Sequence, residues 1–164
     1  MSKFTLTSPT IKEGETLPNT HVFNDWGYKG DNTSPELHWH NAPEGTKSFA
    51  ISCYDPDAPT GSGFWHWYVI NLPANTTSLP VGAGNPDQPQ LPSGARSMNN
   101  DIAQKGFVGA FPPEGDKPHR YIFTVYALSV EQLDLPENAT TAFAGFNVLG
   151  NTLAKATLTA HYSC

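Results

Sequence analysis

The sequence predicts a single, mainly β domain with one substantial helix near the C-terminus and a final strand after it. Three observations lead there. Fifteen prolines and fourteen glycines fall mostly between apolar segments, which is the texture of a loop-rich β protein. Two near-continuous apolar runs, Ser48–Tyr54 and Phe64–Leu72, suit central strands buried on both faces. Near the end of the chain the apolar period changes from three-and-four to two, a helix giving way to a strand.

At 164 residues the chain fits one domain, 1–164, and a domain of this size buries roughly 70% of its unfolded surface. Its core therefore needs no disulfides. Cys53 sits inside an apolar run and reads as a small core hydrophobe, and Cys164 is the last residue. No stretch approaches the ~18 apolar residues of a membrane span, and no leader has the pattern of a signal peptide. The expectation is a cytoplasmic protein with no integral membrane segment. A net charge of −6 argues against nucleic acid as a partner, because phosphate backbones require a basic face. It leaves room for one small anion in a local positive pocket.

The elements follow in order. Phe4-Thr5-Leu6 makes a short strand, ended by Ser8-Pro9. His21 to Pro35 is polar, with turn signals at Asn24-Asp25, Gly27, Gly30-Asp31-Asn32 and Ser34-Pro35. Leu37-His38-Trp39 starts a strand that Ala42-Pro43-Glu44-Gly45 stops. The two strong runs come next. Leu79 to Ala95 has no period, and a structureless loop of that length is often functional. Tyr121 to Val130 resumes strand character. Ala139, Ala142, Phe143, Phe146, Leu149 and Leu153 recur at three and four residues and predict one apolar helical face, opening at Pro136-Glu137 or capped by Asn138. Ala156, Leu158, Ala160 and Tyr162 then alternate with Thr157, Thr159 and His161, as in a strand.

Chemistry-bearing residues concentrate in two short blocks. The first is Asp55-Pro56-Asp57-Ala58-Pro59 with Trp65-His66-Trp67, and the second is Gly109, Pro112-Pro113, Gly115 and His119-Arg120-Tyr121. Buried charge must be paired or ligated. Prolines after Asp55 and Ala58 keep the first block out of helix, and Ala58-Pro59 is a candidate cis bond. One carboxylate can then face a cavity while the other ties down the loop. Strand alternation puts Trp65 and Trp67 on one face, with Phe64, His66 and Tyr68 on the other. It likewise puts His119 and Tyr121 together and Arg120 behind them, within reach of Asp55 or Asp57. Taken alone, His66 reads as a core histidine satisfied by one hydrogen bond, and His119 as a surface residue at a strand start. The glycine and proline turn suits close approach of backbone to a ligand, and its N–H groups suit an anion. Asp55/Asp57 and His38-x-His40 could also be read as metal ligands, but neither has supporting spacing, so no metal or cofactor is expected. No nucleophile elbow, zinc-protease helix, Walker loop or dinucleotide fingerprint occurs, so no catalytic residue is assigned. A hydrolase built on a serine, His119 and Asp55 stays as an alternative.

These blocks resemble the two signatures of the phosphatidylethanolamine-binding protein family, in its bacterial Raf-kinase-inhibitor-like branch. The similarity extends through Gly30-Asp31-Asn32-Thr33-Ser34-Pro35, Leu37, Trp39 and Asn71-Leu72-Pro73 and covers nearly the whole chain. The resemblance implies a central antiparallel sheet packed on a smaller one. It implies that Asp55, His66, His119 and Tyr121 line one pocket, that Pro59, Gly109 and Pro113 shape its wall, and that Asp57, Trp67, Pro112 and Arg120 support it. The implied ligand is a small anion such as phosphate, acetate or phosphoethanolamine. In that reading His66 and His119 donate to its oxygens while Asp55 orients one imidazole. An inhibitor of a kinase or serine protease is the alternative function, and a homodimer through Trp26 and Tyr28 an open expectation. Two departures stand out. Phe111 replaces the small residue many relatives carry beside the two prolines, which implies a narrower rim. The extra C-terminal segment of the eukaryotic branch is absent after Tyr162.

Overall fold

In the structure, a computed structural model describing residues 3–164, the two strong apolar runs are inner strands of one antiparallel sheet. The strands are β1 (Thr5–Thr7), β2 (Leu37–His40), β3 (Ser48–Asp55), β4 (Phe64–Pro73), β5 (Ser78–Leu79), β6 (Arg96–Ser97), β7 (His119–Leu128) and β8 (Thr152–Tyr162). Five of them form the larger sheet in the order β6-β4-β3-β7-β8, and β1-β2-β5 form a smaller three-stranded sheet. Helix α1 (Thr141–Gly150) lies between β7 and β8 in sequence.

Alternation along β3 divides the core. Phe49, Ile51 and Cys53 join Leu6, Leu37 and Trp39 of the small sheet in one apolar cluster. Ala50 faces the other way, into a second cluster with Tyr68, Ile70, Tyr126, Ala144 and Val148 beneath the helix. Both faces of the larger sheet are thus covered, which is why its inner strands read as continuous apolar runs. On the helix side, the buried Ser52 and Tyr126 hydroxyls bond each other at 2.8 Å. Asn71, at φ 63°, accommodates a register shift between β3 and β4. Its buried side-chain amide exchanges two hydrogen bonds with the Leu133 backbone, at 2.7 and 3.1 Å, and asparagine tolerates the left-handed region better than most residues.

The helix departs from the sequence reading in two ways. It starts at Thr141, with the Thr140 hydroxyl accepting from the Phe143 N–H at 3.1 Å, rather than at Pro136 or after Asn138. Its buried face is Thr141, Ala144 and Val148. The predicted stripe instead faces outward, with Phe143, Phe146, Leu149 and Leu153 at 47%, 75%, 59% and 47% exposure. The sheet offers bulky Tyr68 and Tyr126 to the helix, and only a narrow, small-residue face packs closely against them. A Cβ at Gly145 would lie 3.8 Å from the Tyr68 hydroxyl. Val148→Ala is therefore expected to cost on the order of 2 kcal/mol, and Phe146→Ala within about 0.5 kcal/mol. Urea unfolding of both variants checks the ranking, and a costlier Phe146→Ala would restore the predicted stripe.

The loop after β5 has no regular structure through Ala95, as its composition implies, but its role is to pack. Gly84 lies so close to the Trp67 indole that any side chain there would overlap it. The Gly84 backbone also bonds the Ser34 hydroxyl and the Phe107 N–H at 2.8 and 2.7 Å.

Candidate functional site

Asp55 is the last residue of β3 and is 2% exposed. One carboxylate oxygen accepts the Asp57 N–H at 2.8 Å, closing the turn by its own side chain. The Thr60 N–H reaches the Ala58 carbonyl at 2.7 Å. The Ala58–Pro59 bond, a candidate for either isomer from the sequence, is trans, as are all described peptide bonds. Asp57 faces outward and takes three bonds from Arg120. They come from its backbone N–H at 2.9 Å, from Nε at 3.0 Å and from a terminal nitrogen at 3.0 Å. The Arg120 hydrogen bond holds the Asp57 carboxyl below its usual range. The loop after β3 is thereby strapped to β7.

His66 owes its direction to a register shift. Cys53 pairs with Trp67 and Tyr54 with Trp65, so β4 carries one extra residue, His66, against β3. The strict alternation expected from sequence fails at this point. Trp67 enters the inter-sheet core. Trp65 turns to the helix side, with its ring 4.2 Å from Tyr54 and 5.5 Å from Tyr68. His66 packs against Tyr121 at 5.3 Å. Its Nδ1 donates to the Val108 carbonyl at 2.9 Å, a group that can only accept. Burial drives the His66 pKa down to about 4, outweighing that carbonyl and the nearby Asp55 charge. The ring is neutral, and Nε2 carries a lone pair.

His119 opens β7 and is 3% exposed. Nδ1 donates to Asp55 at 2.7 Å and Nε2 to Asp116 at 2.9 Å. Burial pulls the imidazole pKa down, but the bonds to Asp55 and Asp116, with their charges, prevail and raise it. Neither histidine therefore offers a free N–H to a ligand, which corrects the expectation that both donate. Tyr121 is 1% exposed and its hydroxyl has no partner. Burial raises its pKa, so the hydroxyl keeps its proton.

These groups meet at a cavity of about 240 Å³. Asp55, His66, His119 and Tyr121 line it, with Pro59, Pro112 and Pro113. Trp67, Asp57, Arg120 and Gly109 stand outside the lining. Gly109 lies behind it, donating to Asn32 at 2.6 Å. Sequence reasoning missed Tyr28, Phe64, Thr60 and Asp116. Asp116 had a local signal, three residues before His119 in the second block, and Phe64 had one in the strand alternation that set it on the His66 face. Tyr28, expected at a dimer surface, instead lines the cavity and donates to the Pro112 carbonyl at 2.5 Å. Phe111 also lines the cavity, and its ring lies 5.2 Å from both Phe23 and Phe64, 5.4 Å from Trp26 and 5.6 Å from His66. The inner groups are buried and polar, and the outer ones are the half-buried aromatics Tyr28, Phe64 and Phe111 with the exposed Pro59 and Pro113. Among the described residues no group of three His, Cys, Asp or Glu could hold a metal ion, and His38 pairs with Glu36 at 2.6 Å.

Two antiparallel sheets thus carry a small buried-polar, aromatic-rimmed cavity where β3 ends and β7 begins. The chain belongs to the phosphatidylethanolamine-binding protein family, whose model matches residues 7–163. It is 52% identical over 159 residues to UPF0098 protein YbcL of Escherichia coli, covering 97% of this chain and 87% of that one. With UPF0098 protein YbhB of the same organism it shares 51% over 158 residues, covering 96% and 99%. The crystal structure of E. coli YbcL superimposes with a TM-score of 0.96 at 50% identity, covering 99% of both chains. Among the described residues no helix is long and apolar enough to cross a membrane.

Proposed function

We propose that the cavity binds a small oxyanion, phosphate or a phosphoryl headgroup such as phosphoethanolamine, and that the protein acts through this binding as a regulatory module. The observation that carries this reading is the buried Tyr121 hydroxyl. It makes no hydrogen bond at bonding geometry although the Asp55 carboxylate lies near it, and Tyr121 lines the cavity together with His66. Leaving a buried donor unmade costs about 1–3 kcal/mol, and a ligand oxygen accepting from it recovers that loss. His119, held as imidazolium between two carboxylates, offsets the Asp55 charge beside the ligand. The few polar contacts and the small volume support binding in the millimolar to micromolar range, on the order of 4–8 kcal/mol. Titrating phosphoethanolamine into the protein while following His66 and Tyr121 by NMR tests this. Both resonances are expected to move saturably, and Tyr121→Phe to weaken binding about tenfold. Unmoved resonances at tens of millimolar ligand would remove the proposal.

A further inference from the structure

α1 is apolar on every side. Of its ten residues only Thr141 and Asn147 are polar, and both turn inward. The Thr141 hydroxyl donates to the Asn99 carbonyl, and the Asn147 amide to the Phe143 carbonyl one turn back. A helix apolar all round belongs in an interior or a membrane. With ten residues it is about 15 Å long, half the thickness of a bilayer core. Yet Phe143, Phe146 and Leu149, with Leu153 just after the helix, stand in solvent. Together they expose roughly 400 Å² of apolar surface, a size at which a patch is often functional. The sheet beneath is only half covered. β7 has ten residues and runs about 33 Å, twice the length of the helix. On the open part of that face lie Tyr54, Trp65 and Ile122, all half-buried. Tyr54 pairs with Ile122 in register and rests its ring on Trp65.

Charge decides what covers this face. α1 carries no charged side chain, and the exposed charges around it are mixed in sign. Glu131 and Asp134 flank Leu133, which is buried beneath the helix, and Lys155 stands cross-strand from Tyr126 on the same sheet face. A membrane surface calls for a basic rim, and a strongly charged partner for a rim of one sign. A neutral face with a mixed rim is complementary to itself. It also lets two copies, each at −6, meet without bringing like charges into contact. Counted on both copies, the stripe supplies roughly 800 Å², and the open sheet face beside it carries the total toward the ~1,200–2,000 Å² of a standard interface. We infer that the chain forms a two-fold dimer through α1, the helices of two copies packing antiparallel across Phe146 and each covering the other's open sheet face. No residue of α1 lines the cavity, so both cavities stay open and the dimer is independent of the oxyanion reading. A dimer through Trp26 and Tyr28 would instead meet at the cavity mouth.

Sedimentation velocity of the intact chain, from micromolar to near-millimolar protein, tests this. Wild type is expected to sediment as a dimer, and Phe146→Asp to weaken association at least about thirtyfold. Phe146 is 75% exposed, so the variant should keep the fold, which circular dichroism checks. Trp26→Asp, whose ring packs on Phe111 of the cavity wall, is expected to sediment as wild type does. Because only the dimer uses Phe146, the small cost of Phe146→Ala in urea unfolding should grow with protein concentration. A readout that needs no variant is broadening by a soluble paramagnetic agent in concentrated wild-type protein. It should spare the side chains of Phe143, Phe146 and Leu149 and reach Val81, which is exposed elsewhere on the molecule. A monomer at every concentration, or equal broadening of the stripe and Val81, would overturn the dimer. Dissociation in Trp26→Asp but not in Phe146→Asp would overturn its placement on α1.

Discussion

Replacing His119 with alanine is expected to destabilise the fold by about 3–5 kcal/mol, the loss that follows when one partner of a buried ion pair is removed. The reason is the carboxylate left behind. Asp55 has 3% of its side chain exposed, and without the imidazolium it keeps only the Asp57 N–H. Asp116 is the opposite case. Its side chain is 38% exposed and can turn to water, so Asp116→Ala is expected to cost less than about 1 kcal/mol. A double-mutant cycle of Asp55→Ala and His119→Ala should show a coupling well outside additivity, above about 1.5 kcal/mol. Equal losses for His119→Ala and Asp116→Ala in urea unfolding would contradict this account.

The same residues set the pH dependence, and the two histidines pull in opposite directions. The folded pKa of His119 is raised, so its contribution is complete below the unfolded value of about 6.5 and is lost as pH rises through the folded value. That of His66 is lowered to about 4. Its contribution is complete above about pH 6.5 and is lost as pH falls toward 4, a span of about 3 kcal/mol. His21, buried and also shifted down, adds to the acid limb. Stability should therefore peak near neutrality. A Tm profile against pH should lose its acid limb in part in His66→Gln and its alkaline limb in His119→Ala. Parallel profiles for wild type and both variants would argue against these assignments.

Much of this was legible in the chain because it depends on local period or local stereochemistry. β3, β4, β7 and β8 declare themselves by apolar runs or alternation. Prolines beside Asp55 and Asp57 fix an extended turn in which successive carboxylates diverge, one to His119 and one to Arg120. What depends on a partner could not be read. The direction of Trp65 is set by how β4 registers on β3, and a bulge is invisible until the neighbour is known. Tyr28 reaches a carbonyl 84 residues away, with nothing near it in sequence to say so. The C-terminal helix carries two stripes at helical spacing, a large apolar one and a small one. Only the bulk of Tyr68 and Tyr126 opposite decides that the small one packs.

Gly109 shows how a residue outside the cavity controls it, and Gly109→Ala is expected to cost at least about 3 kcal/mol, at the upper end for overpacking. A Cβ there would lie 2.6 Å from the Phe23 nitrogen, 2.6 Å from the Val22 carbonyl carbon and 2.7 Å from the His21 oxygen. All three are backbone atoms, so no side chain can swing aside. The segment is held on its other side as well. Gly30 abuts Val22 so tightly that a Cβ would overlap its carbonyl, while the Gly30 N–H bonds Phe23 and the Asn32 N–H bonds Val22, each at 2.8 Å. His21–Phe23 is thus clasped between two glycines, and it grips the cavity wall through Phe23 and Ala110 at 2.9 Å and through Ala110 and His21 at 3.1 Å. Forcing Gly109 away would shift Val108, whose carbonyl fixes the His66 tautomer, and Phe111, which packs on the same imidazole. The variant should therefore lose stability and also shift the His66 pKa, read from its imidazole resonances. Gly115→Ala is the control. It has φ +87° and open space where the Cβ would go, so its cost is confined to the backbone conformation, about 1 kcal/mol. If Gly109→Ala costs no more than Gly115→Ala, or leaves the His66 titration unchanged, the clasp does not govern the site.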